Sequence, residues 1–167
     1  MAPEGFVEKA LKQAHKAIRD SGQYWPHAFL FDQERQVDVF VFEPEIMSSK
    51  SRRNELLRLL QAAAITGNWF VVFVSEVWTL PQEACRKSQK ERPAIIRHGM
   101  HDHPQRIECL TVSVLGRGLE PMLGQQIYRK DKATGQYVFE QVQWAPSSGP
   151  IRHGRCNPDM TNSRKVV

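Results

Sequence analysis

Cysteine is scarce in this chain of 167 residues: Cys85, Cys109 and Cys156 are the three present. An odd, widely spaced set with no C-x-x-C argues against a disulfide framework and predicts reduced thiols. Also missing is any apolar run near the roughly 20 residues that a membrane-spanning helix needs. The longest, "WFVVFVSEVW" at 69–78, is broken by Glu76. The opening "MAPEGFVEKALKQ" carries Glu4 and Glu8 and lacks an apolar h-region, so no secretory signal is expected and a cytoplasmic location follows by elimination. Neither G-x-G-x-x-G nor G-x-x-x-x-G-K-[ST] occurs, which leaves nucleotide binding without support. "LGRG" at 115–118 reads as a turn between strands.

A hydrophobic fraction of 41% with 25% charged residues matches a globular protein, and the length suffices for one domain with its own core. The net charge of +5 is unevenly spread. Residues 86–106 hold six basic against two acidic residues, a surplus of +4, and residues 150–167 hold four against one, a surplus of +3. The rest therefore carries −2, so the basicity belongs to two segments rather than to the fold body.

Apolar periodicity supplies the elements. Phe6, Val7, Ala10, Leu11, Ala14, Ala17 and Ile18 recur at helical spacing over 3–21, ended by "DSG", with His15 read as a surface residue. "HAFLFDQERQVDVFVFEP" changes to period two: one strand carries Phe29 and Phe31, and a second alternates Val37, Val39 and Val41 with Asp38, Phe40 and Phe42. The aromatic pair predicts cover on that face too. Ser48 or Ser49 can cap a second helix whose stripe is Leu56, Leu57, Leu60, Ala63 and Ala64, stopped by "TGN" at 66–68. "WFVVFVSEVW" is apolar in both phases, as a central strand buried on both faces should be. Strand, helix, strand in succession predicts a right-handed parallel crossover. "IECLTVSVLG" resumes the alternation, and "QQIYRKDKATGQYVFEQVQW" reads as a hairpin with Gly135 in its turn.

The segment 79–106 is long for a connection inside a compact domain, which marks it as functional or disordered. The expected organisation is a single α+β domain over 1–145 followed by a disordered basic tail over 146–167. Its sheet is expected to be mixed and five- or six-stranded, with two long helices on one face.

Three histidines, His98, His101 and His103, lie close together in "RHGMHDHPQR". Zinc takes three or four N, S or carboxylate ligands, and Asp102 or Cys109 can be the fourth. Arg97 and Arg106 beside them oppose a cation, and no second ligand cluster stands elsewhere, which favours a solvated loop and no cofactor. Glu76, beside Ser75 near the end of a central strand, is a candidate general acid or base. Its structural alternative is an ion pair with Arg106 on a neighbouring strand. Trp69, Trp78 and the strand aromatics read as core, and Cys109, inside a strand, reads as buried and inert. The basic run Arg86, Lys87, Lys90, Arg92 and Arg97 suits phosphates or an acidic protein surface. It lacks interleaved stacking aromatics and any helix-turn-helix signature.

"VVFVSEVW" followed by "HPQRIECLTVSV" resembles a loose group of small bacterial and phage proteins of unknown function. They similarly place a V-S-E-x-W strand before a P-x-R-x-E-x-L-x-V-S strand. The likeness covers about residues 6–115 and implies a bacterial or mobile-element origin, but no catalytic residue. The functional expectation is a non-catalytic binding or accessory module. It would contact nucleic acid or another protein, not a membrane, through 79–106 and the tail. A metal-dependent hydrolase built from Glu76, His98, His101 and His103 is the alternative.

Overall fold

The computed structural model describes residues 3–32, 35–47, 49–79 and 106–145. Helix α1 spans Pro3–Ser21, and the stripe Phe6, Val7, Ala10, Leu11, Ala14 and Ile18 is buried along it. It ends where Gly22 takes φ +74° and returns its N–H to the Ile18 carbonyl at 2.8 Å, a left-handed cap that glycine adopts without strain. Strands β1 (His27–Phe31) and β2 (Gln36–Val41) follow, then a 3-10 turn over Pro44–Met47. Helix α2 covers Lys50–Gly67, with the Ser49 hydroxyl accepting from the Arg52 N–H and Asn68 closing it at φ 54°. The remaining strands are β3 (Phe70–Thr79), β4 (Ile107–Gly116), β5 (Met122–Lys130), β6 (Tyr137–Phe139) and β7 (Gln143–Trp144).

These strands make one seven-stranded sheet in the order β2-β1-β3-β4-β5-β6, with β7 also on β5, and every pair is antiparallel. Two expectations are thereby corrected. The sheet is not mixed: β2 and β3 do run the same way, as the helical crossover implied, but β1 lies between them and is antiparallel to both. The crossover steps over a hairpin strand already in place, and local sequence patterns do not record that insertion.

Nor do the helices share a face. Alternate residues of a strand point to opposite faces, and the core divides accordingly. Phe29, Phe31, Val72, Val74, Leu110, Val112, Val114 and Tyr128 pack with α1. Ala28, Leu30, Val71, Phe73 and Leu115 pack with Leu56, Leu60 and Ala64 of α2. That two-sided demand is why "FVVFV" is apolar in both phases. Burying the apolar stripes removes roughly 1.5–3 kcal/mol of exposure cost per large side chain, so each helix is held chiefly by its sheet face.

Two further features set the stage for a site. Strands β3 and β4 pair along ten residues, from Phe70↔Gly116 to Thr79↔Ile107, while β1 stops at His27↔Val74. The last five residues of β3 thus run beyond β1. At the far side, β6 and β7 lie along β5 with a one-residue register slip between Phe139↔Tyr128 and Trp144↔Gly124.

Candidate functional site

Glu76 follows Val72 and Val74 in the β3 alternation, so it stands on the α1 face, past the end of β1. The chain leaving α1 turns across this place. The Tyr24 backbone N–H donates to Glu76 Oε2 at 2.8 Å, and the Tyr128 hydroxyl donates to Oε1 at 2.7 Å. Both oxygens of a half-buried carboxylate are therefore engaged, one from the α1 exit and one from β5. The expected ion pair with Arg106 is replaced by this arrangement. Arg106 instead lies 4.0 Å from Glu108, and its guanidinium stands 5.4 Å from the Trp78 ring centroid. The register explains the difference: Glu76 faces Leu110, whereas Glu108 faces Trp78.

Around the carboxylate the aromatic groups are stacked, Tyr24 on His27 and Tyr128 on Phe139. Tyr128 is buried, and burial, then the bond to Glu76 and that carboxylate's charge, hold its phenol protonated well above the usual tyrosine range. Tyr24 is buried as well, which raises its phenol likewise, and its hydroxyl oxygen has no hydrogen-bond partner among the described residues. Its ring stacks on His27 at 4.7 Å, and His27 Nδ1 donates to the Trp25 carbonyl at 2.6 Å. Glu76 thus sits as an anchor joining three parts of the fold. Ser75, its neighbour, is buried on the opposite face and bonds the Thr111 hydroxyl at 2.8 Å.

Cys109 is buried in β4, where Gln125 Nε2 donates to its sulfur at 2.7 Å. Burial pushes the thiol up to about 11, so it stays protonated near neutrality. Two expectations change here. Trp78 is 40% exposed rather than core, because it lies on the part of β3 beyond β1. His15 is half-buried rather than a surface residue. Its ring stacks on Phe139 at 3.8 Å, its Nε2 bonds Gln126 Oε1 at 2.6 Å, and Gln126 Nε2 donates to the Glu140 carbonyl at 2.7 Å. Reading Gln126 as a polar residue in the inward phase between Gly124 and Tyr128 would have flagged this bridge.

His98, His101 and His103 lie outside the described residues, as do Arg86, Lys87, Lys90, Arg92 and Arg97 and the stretch 146–167. Among the described residues no group of three or more His, Cys, Asp or Glu could hold a metal, and no helix is long and apolar enough to cross a membrane.

The other distinctive surface lies at the opposite edge. Strand β2 pairs with β1 alone, and Val37, Phe40 and Val41 are exposed along it, against the expectation that its aromatic face is covered. Phe42 alone of that pair tucks in, edge-on to Phe73 at 6.1 Å between centroids. Because the Phe42 N–H points inward to the Pro26 carbonyl at 2.8 Å, Val39 and Val41 turn their backbone groups to the open edge. At Val39 that N–H is taken by Asp38 Oδ1 at 2.7 Å. Beyond Val41 a groove of about 420 Å³ opens between the 3-10 turn and α2, lined by Val41, Phe42, Ile46, Leu56 and Leu59. Glu43, Glu45 and Glu55 stand on it against Arg52 alone, a local −2.

Compared with family models, curated proteins and solved structures, the chain matches none.

Proposed function

We propose that this chain is a non-catalytic binding module that receives an extended, basic segment of a partner protein along the end of β2 and the adjoining acidic groove. The observation that carries the reading is the pairing of exposed apolar groups with acidic side chains at one open strand edge: Val41 and Leu59, 56% and 63% exposed, beside Glu43, Glu45 and Glu55. An open edge offers backbone groups for strand addition, and alternate side chains of the incoming segment then fill the groove. The Asp38 carboxylate covers the outward N–H of Val39, which directs any added strand to the Val41 end. Glu76, held by the Tyr24 N–H and the Tyr128 hydroxyl, serves in this reading as a structural anchor between the α1 exit and the sheet.

In the same proposal the basic runs 86–106 and 150–167 give a second contact region, towards an anionic surface, in a cytoplasmic setting that suits the thiol of Cys109.

Fluorescence anisotropy tests the reading with labelled peptides alternating valine or leucine with lysine, against wild type and a Glu43→Lys/Glu55→Lys variant. Saturable binding is expected to weaken about tenfold or more in the variant, the loss of about 1.4 kcal/mol or more. Equal binding by both proteins would overturn the groove as the site. Salt-sensitive binding of a labelled single-stranded oligonucleotide, with no peptide binding, would put nucleic acid in place of the protein partner.

A further inference from the structure

Strand pairing sets one row of residues across the sheet: Val41, His27, Val74, Val112, Gly124 and Trp144. Val41, at one end of the row, lines the acidic groove beside β2. Trp144, at the other end, stands in β7 and immediately precedes Ala145, the last described residue. Residues 146–167 therefore leave the sheet level with the groove, five strand spacings or about 24 Å away.

Chain length decides which part of this tail can arrive there. The groove lies on the β2 side of α2, so a path from β7 also passes that helix, which adds about 10 Å. At about 3.3 Å per extended residue, Arg152, seven residues beyond Ala145, reaches about 23 Å and falls short. Arg155, ten residues beyond, arrives only at full extension. Arg164, nineteen residues beyond, has about 63 Å of chain behind it. It opens a stretch, Arg164, Lys165, Val166 and Val167, that joins two cations to two β-branched side chains. The groove offers the complement: Glu43, Glu45 and Glu55 against Arg52, and the apolar Val41, Ile46 and Leu59. Exposed ion pairs contribute little singly, but tethering holds the stretch near the groove at an effective concentration in the millimolar range.

We infer that residues 164–167 of the chain's own tail occupy the β2 groove and compete there with the partner segment. The inference rests on the reading of that groove as a binding site and adds its regulation. An outside anionic surface that takes up the tail frees the groove, which couples the two contact regions.

Methyl NMR of the full chain tests this, with Cys85→Ser and Cys156→Ser and a nitroxide attached at Ser163→Cys. The label is expected to broaden the methyls of Val41, Ile46 and Leu59, and to leave those of Val7 and Leu11 on the opposite face sharp. Tenfold dilution is expected to leave the broadening unchanged; its loss would overturn the same-chain contact in favour of a second copy's tail. Arg164→Glu/Lys165→Glu is expected to abolish the broadening. Without the label, this variant is expected to bind the valine–lysine peptide about tenfold more tightly than wild type, because the tail no longer competes. Broadening that survives the double reversal overturns the charge pairing. Sharp groove methyls, with equal peptide affinity in wild type and variant, overturn the tail's role and leave the groove reading standing. Sharp groove methyls with no peptide bound by either protein overturn the groove reading and this inference with it.

Discussion

The hydroxyl of Tyr128 donates to Glu76 Oε1 at 2.7 Å, reaching from β5 over β4 to β3. The same carboxylate holds the Tyr24 N–H, so one acidic side chain secures the exit of α1 to the middle of the sheet. Removing Tyr128's hydroxyl in Tyr128→Phe is expected to cost about 1.5–3 kcal/mol, the range for a hydrogen bond to a charged group. Glu76→Ala leaves two donors without their acceptor and costs more. In urea unfolding both midpoints fall, and the double variant loses less than the sum of the two singles. Strict additivity would show that the two side chains act independently.

His15 predicts the acid side of the stability profile. Its burial against Phe139 lowers its pKa, outweighing the bond to Gln126 that raises it, and the nearby Arg19 lowers it further. An unfolded chain takes up this proton near about 6.5, whereas the folded chain resists it to lower pH. The unfolded state therefore binds more protons in that window, and stability falls as pH drops below about 6.5. Thermal midpoints measured from pH 7.5 to 5 are expected to decline more steeply for wild type than for His15→Gln. Parallel profiles would remove His15 as the source.

Cys109 should be chemically silent while the protein is folded. With its thiol pushed up to about 11, the reactive thiolate is rare near neutrality, and burial also blocks access. In a chain with Cys85 and Cys156 replaced by serine, iodoacetamide is expected to leave Cys109 unmodified at pH 8 until denaturant is added, read by intact mass. Rapid alkylation of the native protein would contradict this burial.

Asp38 guards the open edge by covering the outward N–H of Val39. Asp38→Val removes the cover and adds a β-branched side chain to a strand already exposing Val37, Phe40 and Val41. Sedimentation velocity is expected to show concentration-dependent association beyond that of wild type. Asp38→Asn, which keeps an acceptor oxygen, is expected to behave as wild type. Association in both variants alike would assign the protection to charge rather than to the hydrogen bond.

By itself the sequence determined the local elements. Helix α1 over 3–21, the Ser49 cap, the Asn68 stop, the both-phase strand from Phe70 and the turn at Gly135 all depend on neighbours within a few residues, where spacing and backbone preference act directly. Tertiary structure alone decided what those elements meet. The insertion of β1 between β2 and β3, the separation of α1 and α2 onto opposite faces, and the choice of Tyr128 rather than Arg106 as Glu76's partner are outcomes of pairing across distance. The reason is physical. Alternation specifies that a side chain is buried on one face, but the register between strands far apart in sequence decides which residue it faces there, and a shift of one position exchanges one face for the other.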